Sequence, residues 1–226
     1  MINFTNVDKV YSDDEKTLDN INLSIKQGEF VFVIGSSGAG KSSFLKLLTR
    51  EEKLTKGKLT VLGIDVTRVK SSKLHFYKRK LGIVFQDFKL LENKTVYENI
   101  EIILRACGEN PKEIREKVIK VLKSVGIEHK HNKYPSELSG GECQRVGIAR
   151  AIVNKPSIII ADECTGNLDR DNSINILNIL SQINRDGVTV IMATHDMEMI
   201  SRYPNRVIKL EGGKIVLDTS KGGSDV

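Results

Sequence analysis

Gly35-Ser36-Ser37-Gly38-Ala39-Gly40-Lys41-Ser42 decides how the rest of the chain is read. The stretch satisfies the spacing GxxxxGK[ST] and stands between an apolar run, Glu29 to Ile34 (EFVFVI), and a helical segment, Lys41 to Thr49. A short continuous apolar run predicts a strand buried on both faces. Glycines at the first, fourth and sixth places let the backbone curl until successive N–H groups of Gly35, Ser36, Ser37, Gly38, Ala39 and Gly40 point inward. The helix that follows adds the positive end of its dipole. Such a cradle suits phosphate oxygens, with Lys41 reaching the β and γ phosphates, Ser42 binding Mg²⁺ and Ser43 touching the α phosphate. Binding of a nucleoside triphosphate is therefore expected.

A second apolar run, Ile158-Ile159-Ile160-Ala161, ends in Asp162 and Glu163. A strand that delivers a carboxylate beside a phosphate loop supplies a ligand for Mg²⁺, here Asp162. Glu163 lies one residue on and so faces the other side, where it can polarise a water for in-line attack. Lys41 and Asp162 are 121 residues apart, so a large insertion separates them.

Between these landmarks the pattern is α/β. Ile2 to Val10 and Thr17 to Ile25 alternate apolar with polar about a turn at Ser12-Asp13-Asp14, which predicts an N-terminal antiparallel hairpin. Lys58 to Leu62 and Leu81 to Phe85 read as further strands. From Thr95 to Asn154 the character is helical. Asn110-Pro111 opens one helix, and Ile114, Val118, Val121, Leu122 and Val125 keep to one face until Gly126 closes it. Strands return at Ser157 to Ala161 and Val188 to Ala193, helices at Asn172 to Asn184 and Met197 to Arg202. A hairpin pairs Val207 to Leu210 with Lys214 to Leu217 across Gly212-Gly213. The expected organisation is one domain over residues 1–226: an α/β core of 1–94 and 155–218 including the N-terminal β-subdomain, an inserted helical subdomain of 95–154, and a loose tail of 219–226.

The chain has 226 residues, 39% hydrophobic and 28% charged, which suits a globular protein that needs no disulfide. No apolar run approaches the roughly 20 residues of a membrane helix, and the first residues carry no signal or transit pattern. A cytosolic chain with three reduced cysteines, Cys107, Cys143 and Cys164, is expected. The net charge of +6 suits an anionic partner without saying which.

Leu138-Ser139-Gly140-Gly141-Glu142 resembles the LSGGQ signature of ABC-type ATPases, with Glu in the last place. Other motifs of that family follow in order. Gln86 matches the Q-loop, Gly166-Asn167-Leu168-Asp169 the D-loop and His195 the switch histidine, while Tyr11 is placed like the aromatic that stacks on adenine. The resemblance covers about Ile2 to Asp218. It implies a P-loop NTPase of the ABC type that hydrolyses ATP with Mg²⁺ held by Ser42, Gln86 and Asp162. It also implies catalytic roles for Glu163, His195 and Gln86, and a homodimer that forms head-to-tail around two ATP. In that dimer Ser139, Gly140, Gly141 and Glu142 would act on the partner's ATP, with Asp169 in the D-loop between the two sites.

The stretch Val84-Phe85-Gln86-Asp87-Phe88-Lys89-Leu90-Leu91 resembles the FtsE branch of the family, cell-division ATPases that work with the membrane protein FtsX. That implies an integral membrane partner of the FtsX type, a place on the cytoplasmic face of the cell membrane and control of cell-wall hydrolysis, with no nucleic acid expected. The alternative within the family is the ATPase of a lipoprotein-release or macrolide-type export system. Two residues depart from the family pattern. Cys164 stands where a proline is expected after Glu163, and Cys143 where a glutamine follows the signature; both are expected to pack as small buried residues. Arg68, Lys70, Lys73, Lys78, Arg79 and Lys80 form a basic stretch without an acid between Val66 and Gly82, which reads as a solvated face or, alternatively, as an attraction to anionic lipid or to an acidic segment of the partner. His129 and His131 suggest a metal only weakly.

Overall fold

The computed structural model describes residues 2–11 and 16–221. The expected turn at Ser12-Asp13-Asp14 and the end of the tail, residues 222–226, lie outside the described residues. Strands β1 (Ile2–Val10) and β2 (Lys16–Ile25) pair antiparallel, and their alternation buries Phe4, Val7, Leu18, Ile21 and Leu23 on one side. With β4 (Lys56–Val61) and β5 (Ile64–Asp65) they form a sheet of order β2-β1-β4-β5. A second sheet combines β3 (Phe30–Ile34), β6 (Leu81–Val84), β7 (Ile158–Asp162), β8 (Thr189–Ala193), β9 (Arg206–Glu211) and β10 (Lys214–Asp218). Its order is β10-β9-β3-β8-β7-β6, parallel from β9 to β6, with β10 closing the edge as an antiparallel hairpin with β9.

The apolar strands are continuous in sequence because they face two cores. Val31 and Val33 of β3 and Ile158 and Ile160 of β7 join one cluster, built with the first sheet and helix α1 (Lys41–Thr49). There Phe44 of α1 stacks on Phe4, with ring centroids 4.7 Å apart. Phe30, Phe32, Ile159 and Ala161 face the opposite cluster, built with helices that follow.

After the short helix α2 (Leu74–Lys78), three helices stand in the chain between β6 and β7: α3 (Val96–Cys107), α4 (Pro111–Ser124) and α5 (Gly140–Ile152). Helix α3 opens with a capping box of Thr95 and Glu98, and Asn110 accepts from the Lys112 N–H at the start of α4. The predicted face of α4 is the buried one, from Ile114 to Leu122. Helices α6 (Arg170–Arg185) and α7 (Met197–Arg202) complete the second core.

Strand β4 lies two residues upstream of its expected start and ends at Val61, because Lys56 pairs with Asp8 and Leu62 (φ 51°) turns the chain into β5. Strand β5 and helix α2 were not expected; both are too short to show a period. Helix α2 is held by Tyr77, which is buried and donates to the Leu48 carbonyl.

One buried charge cluster ties the edge hairpin to β3. The Arg206 guanidinium makes two bonds to the Asp218 carboxylate, both 2.9 Å, and one of 2.7 Å to Glu29 just before β3. Burial raises the Asp218 pKa, but the hydrogen bonds from Arg206 and Ser220 outweigh it and leave the carboxyl below its ordinary value. A depressed carboxyl contributes stability above its unfolded pKa and loses it as pH falls through the folded one. Arg206→Met leaves Asp218 buried without its cation and should cost about 3–5 kcal/mol near neutrality. In urea titrations the gap from the parent protein should shrink as pH falls below the ordinary aspartate value of about 3.9 and close only once it has fallen through the depressed range of Asp218 in the parent. A gap independent of pH would remove the ion pair as its cause.

Candidate functional site

The phosphate loop leaves β3 at Ile34 and enters α1 at Lys41. Gly40 caps the helix with φ 101° and without any side-chain cap, and a Cβ there would meet the Thr17 carbonyl oxygen at 2.6 Å. Only glycine fits, and the first N–H groups of α1 are left to face an anion. The Lys41 ammonium is 8% exposed and donates to the carbonyls of Gly35 (2.8 Å) and Ser36 (3.1 Å), so it is held across the mouth of the loop. Around it lies a cavity of about 600 Å³, walled by residues of the loop together with Thr17, Glu163 and His195. That is the size of a small-molecule site. Tyr11 stands at its rim, 41% exposed, with its hydroxyl 3.2 Å from the Ser43 Oγ and the Lys9 ammonium 4.3 Å from its ring centroid.

The acids arrive from β7. Burial pushes the Asp162 carboxyl above its ordinary pKa, and the Glu163 charge adds to this. Lys41, Lys46 and the Ser42 hydroxyl pull the other way. A half-buried carboxylate so placed is short of positive charge. Glu163 adopts φ 45°, a left-handed conformation that costs a non-glycine residue about 1 kcal/mol or more. Its N–H donates to the Ala193 carbonyl (3.0 Å), and its carbonyl accepts from the Gly166 N–H (2.9 Å). The side chain thereby reaches between two partners: Oε1 is 3.9 Å from the Lys41 ammonium and Oε2 is 3.4 Å from His195 Nδ1. Gln86, two residues beyond β6, has its amide 3.5 Å from Asn167 Oδ1 at the start of the D-loop. Asp169 caps α6, accepting from the Asn172 N–H (2.8 Å) and side-chain amide (2.7 Å), bonds that hold its carboxyl below the ordinary range.

The signature residues do not wall this cavity. Ser139 caps α5, its Oγ accepting from the Glu142 N–H (3.3 Å), while the Glu142 carboxylate accepts from the Ser139 N–H (2.8 Å) and pairs with Lys130 (3.2 Å). The glutamate in place of glutamine thus closes a capping box. A Cβ at Gly141 would lie 2.3 Å from Asn172 Oδ1 on α6, so any larger residue there would have to displace that side chain.

Several positioning residues escaped the sequence reading. Arg150 on α5 donates to the carbonyls of Phe88 (2.6 Å) and Lys89, two residues with positive φ just after Gln86. Asn99 is fully buried on α3 and holds both the N–H and the carbonyl of Leu91. Gln144, also fully buried, donates to the Phe85 carbonyl (3.3 Å) and lies against the Cys164 thiol. No local pattern marks these three, because their partners are 8 to 62 residues away. Thr17 escaped for the same reason. Cys164 and Cys143 are both buried, and burial pushes the Cys164 thiol up to about 12, which makes it an inert packing residue. The His131 ring bonds to the Glu128 carbonyl of its own turn (2.9 Å).

Beside the Q-loop runs an open groove of about 590 Å³, with Phe85, Leu91, Ile102 and Ile103 on its floor and Lys78, Lys89 and Arg150 among its walls. Leu91 and Ile102 are 41% and 44% exposed there. No helix among the described residues is long and apolar enough to cross a membrane.

The pattern of the ABC transporter family matches residues 18–166. The cell division ATP-binding protein FtsE of Bacillus subtilis (strain 168) is 48% identical over 222 residues, covering 98% of this chain and 97% of that protein. FtsE of Streptococcus pneumoniae serotype 2 is 47% identical over 222 residues, covering 98% and 96%. Among solved structures, the dimeric post-hydrolysis state of the ATP-binding cassette MJ0796 with ADP and phosphate bound superposes with a TM-score of 0.87 at 36% identity, covering 96% of this chain and 97% of that one. The arrangement of loop, acids and signature on this fold agrees with these likenesses: the chain is an ATPase and belongs to the ABC transporter family, beside the FtsE proteins.

Proposed function

We propose that this chain is the ATP-hydrolysing subunit of a cell-division complex, pairing head-to-tail around two ATP and driving an FtsX-like membrane partner that regulates cell-wall hydrolysis. The observation that carries the reading is the division of labour on the surface. A complete phosphate cavity contains Glu163 and His195, yet the capped N-terminus of α5 with Ser139 stands apart from it. A second copy supplies what one copy lacks. The likeness to a dimeric cassette supports this pairing.

In this reading the loop N–H groups and Lys41 bind the β and γ phosphates, Ser43 touches the α phosphate, and Tyr11 stacks on the adenine. Ser139 and the Gly140 and Gly141 N–H groups of the second copy close over the γ phosphate. The donor set Ser42, Asp162 and Gln86 fits Mg²⁺: hard oxygens, few in number, leaving positions for phosphate and water. The raised pKa of Asp162 fits too, since a cation offsets the burial that raises it. Bound there, the ion would neutralise charge on the β and γ oxygens. Glu163 accepts a proton from the attacking water. His195, within hydrogen-bonding reach of Glu163, orients that water and the γ phosphate. Gln86 senses this geometry, and Arg150 and Asn99 pass its position to the groove floored by Phe85, Leu91 and Ile102, where the membrane partner seats. The chain would thus work at the cytoplasmic face of the membrane.

Glu163→Gln should lower turnover about 10²–10⁴-fold, leave ATP binding intact and accumulate dimers on size-exclusion chromatography with ATP. Unchanged turnover would take Glu163 out of its role. Ser139→Arg should bind ATP as the parent does and yet neither dimerise nor hydrolyse; normal hydrolysis would argue against a shared site. Tagged Glu163→Gln protein captured with ATP from its native membranes should bring down an FtsX-like protein. A lipoprotein-release or exporter permease in its place would overturn the cell-division reading and leave the chemistry standing.

A further inference from the structure

Between β5 and β6 the chain runs from Val66 to Lys80 with six basic residues and no acid. The segment is built as a platform. Tyr77 is buried and anchors α2 to α1 through the Leu48 carbonyl. Arg79 fastens its other side to the Ala106 carbonyl (2.8 Å) and stands 5.5 Å from the ring of Phe76. With its neighbours so held, Phe76 is pushed outward to 57% exposure, the highest of any large apolar side chain among the described residues. Arg68 is engaged by Asp65 (3.6 Å), but Lys70, Lys73, Lys78 and Lys80 are exposed and make no ion pair among the described residues. Arg68, Lys70, Lys73, Lys80, Phe76 and Tyr77 line an open hollow of about 530 Å³.

Clustered lysines without acids gain nothing from one another; like charges repel, and a chain tolerates them as a group where an anionic surface meets them. A phenylalanine held out among them points to a boundary that is anionic outside and apolar beneath. The platform also has a direction. His75, Lys78 and Arg79 line the groove of Leu91 and Ile102, whereas Phe76 and Tyr77 line the hollow, so hollow and groove are two sides of α2. If the groove seats a membrane protein, as the reading above has it, the platform beside it faces the bilayer.

We propose that this segment is a lipid contact, with Lys70, Lys73 and Lys80 taking the headgroups of anionic lipids and Phe76 entering the boundary between headgroups and acyl chains. The contact is a surface docking, without a spanning segment. Its strength comes from about a factor of five per lysine at the membrane surface, together with the buried ring. It therefore weakens with salt as charge contacts do. A single exposed aromatic favours lipid over nucleic acid, which rewards a row of aromatics along a basic track.

The test uses the whole chain and vesicles, without any membrane partner, so that it fails or succeeds independently of the cell-division reading. The protein should sediment with vesicles of phosphatidylcholine mixed with phosphatidylglycerol and stay in solution with phosphatidylcholine alone. Lys70→Glu with Lys73→Glu should weaken the sedimentation at least about tenfold. Lys120→Glu with Lys123→Glu, the same charge change on the exposed face of α4, should weaken it far less. Phe76→Ser should reduce binding while keeping its salt dependence. All variants should retain ATP binding, which reports that they fold. Equal losses from the two double reversals would mean that net charge alone acts and would overturn the proposal. So would failure to bind the mixed vesicles, or tighter binding of a DNA duplex through the same lysines.

Discussion

The level alignment of four parallel strands is the constraint on which the site depends. Pairing sets Val33 of β3 against Ala193 of β8, Asp162 of β7 against the same Ala193, and Val84 of β6 against Ala161. The chain therefore leaves the sheet at one edge four times: into the phosphate loop, His195, Glu163 and Gln86. In parallel sheets ligands sit at the carboxyl ends of the strands, and here the rule brings the phosphate loop, Glu163 and His195 around one cavity. Hydrophobic burial on both faces holds that alignment. Moving one strand by a residue would turn its inward side chains into the opposite core, so the register of the site inherits the strength of two cores.

Much of this is legible in the sequence. The phosphate loop, the acids after β7, the signature and the hairpin at Gly212-Gly213 are local patterns, and local patterns survive folding because the backbone conformation they require is written in adjacent residues. The alternation of β1 and β2 and the face of α4 belong to the same class. What escaped reading belongs to a different one. Arg150, Asn99, Gln144 and Thr17 act through partners brought together only by the fold, and Arg206 joins Glu29 and Asp218 from opposite ends of the chain. A polar residue inside a helical stretch carries no mark saying that it will be buried.

Cys164 shows how the two classes interact. Read alone, the loss of a proline after Glu163 removes a restraint on the backbone. The structure supplies the restraint by other means. Both backbone groups of Glu163 are bonded, to Ala193 and Gly166, and the next side chain is sunk among core residues. The left-handed conformation of Glu163 is over-determined by these contacts, which is the condition under which strain of this kind persists. The carboxylate is consequently directed toward Lys41 and His195 by the fold, whether or not a proline follows.

The signature makes the same point about charge. A glutamate in place of glutamine at the N-terminus of α5 brings a negative charge to the end of a helix that is expected to meet phosphate, and like charges should oppose each other. In the structure that charge is already committed. It accepts from the Ser139 N–H and pairs with Lys130, and those bonds keep its carboxyl below the ordinary range. The charge is thus balanced by a cation and by the helix end itself, while the Ser139 hydroxyl keeps a lone pair and its own proton for another partner. Substitution at this place changes which group caps the helix more than it changes what the helix can offer to an anion.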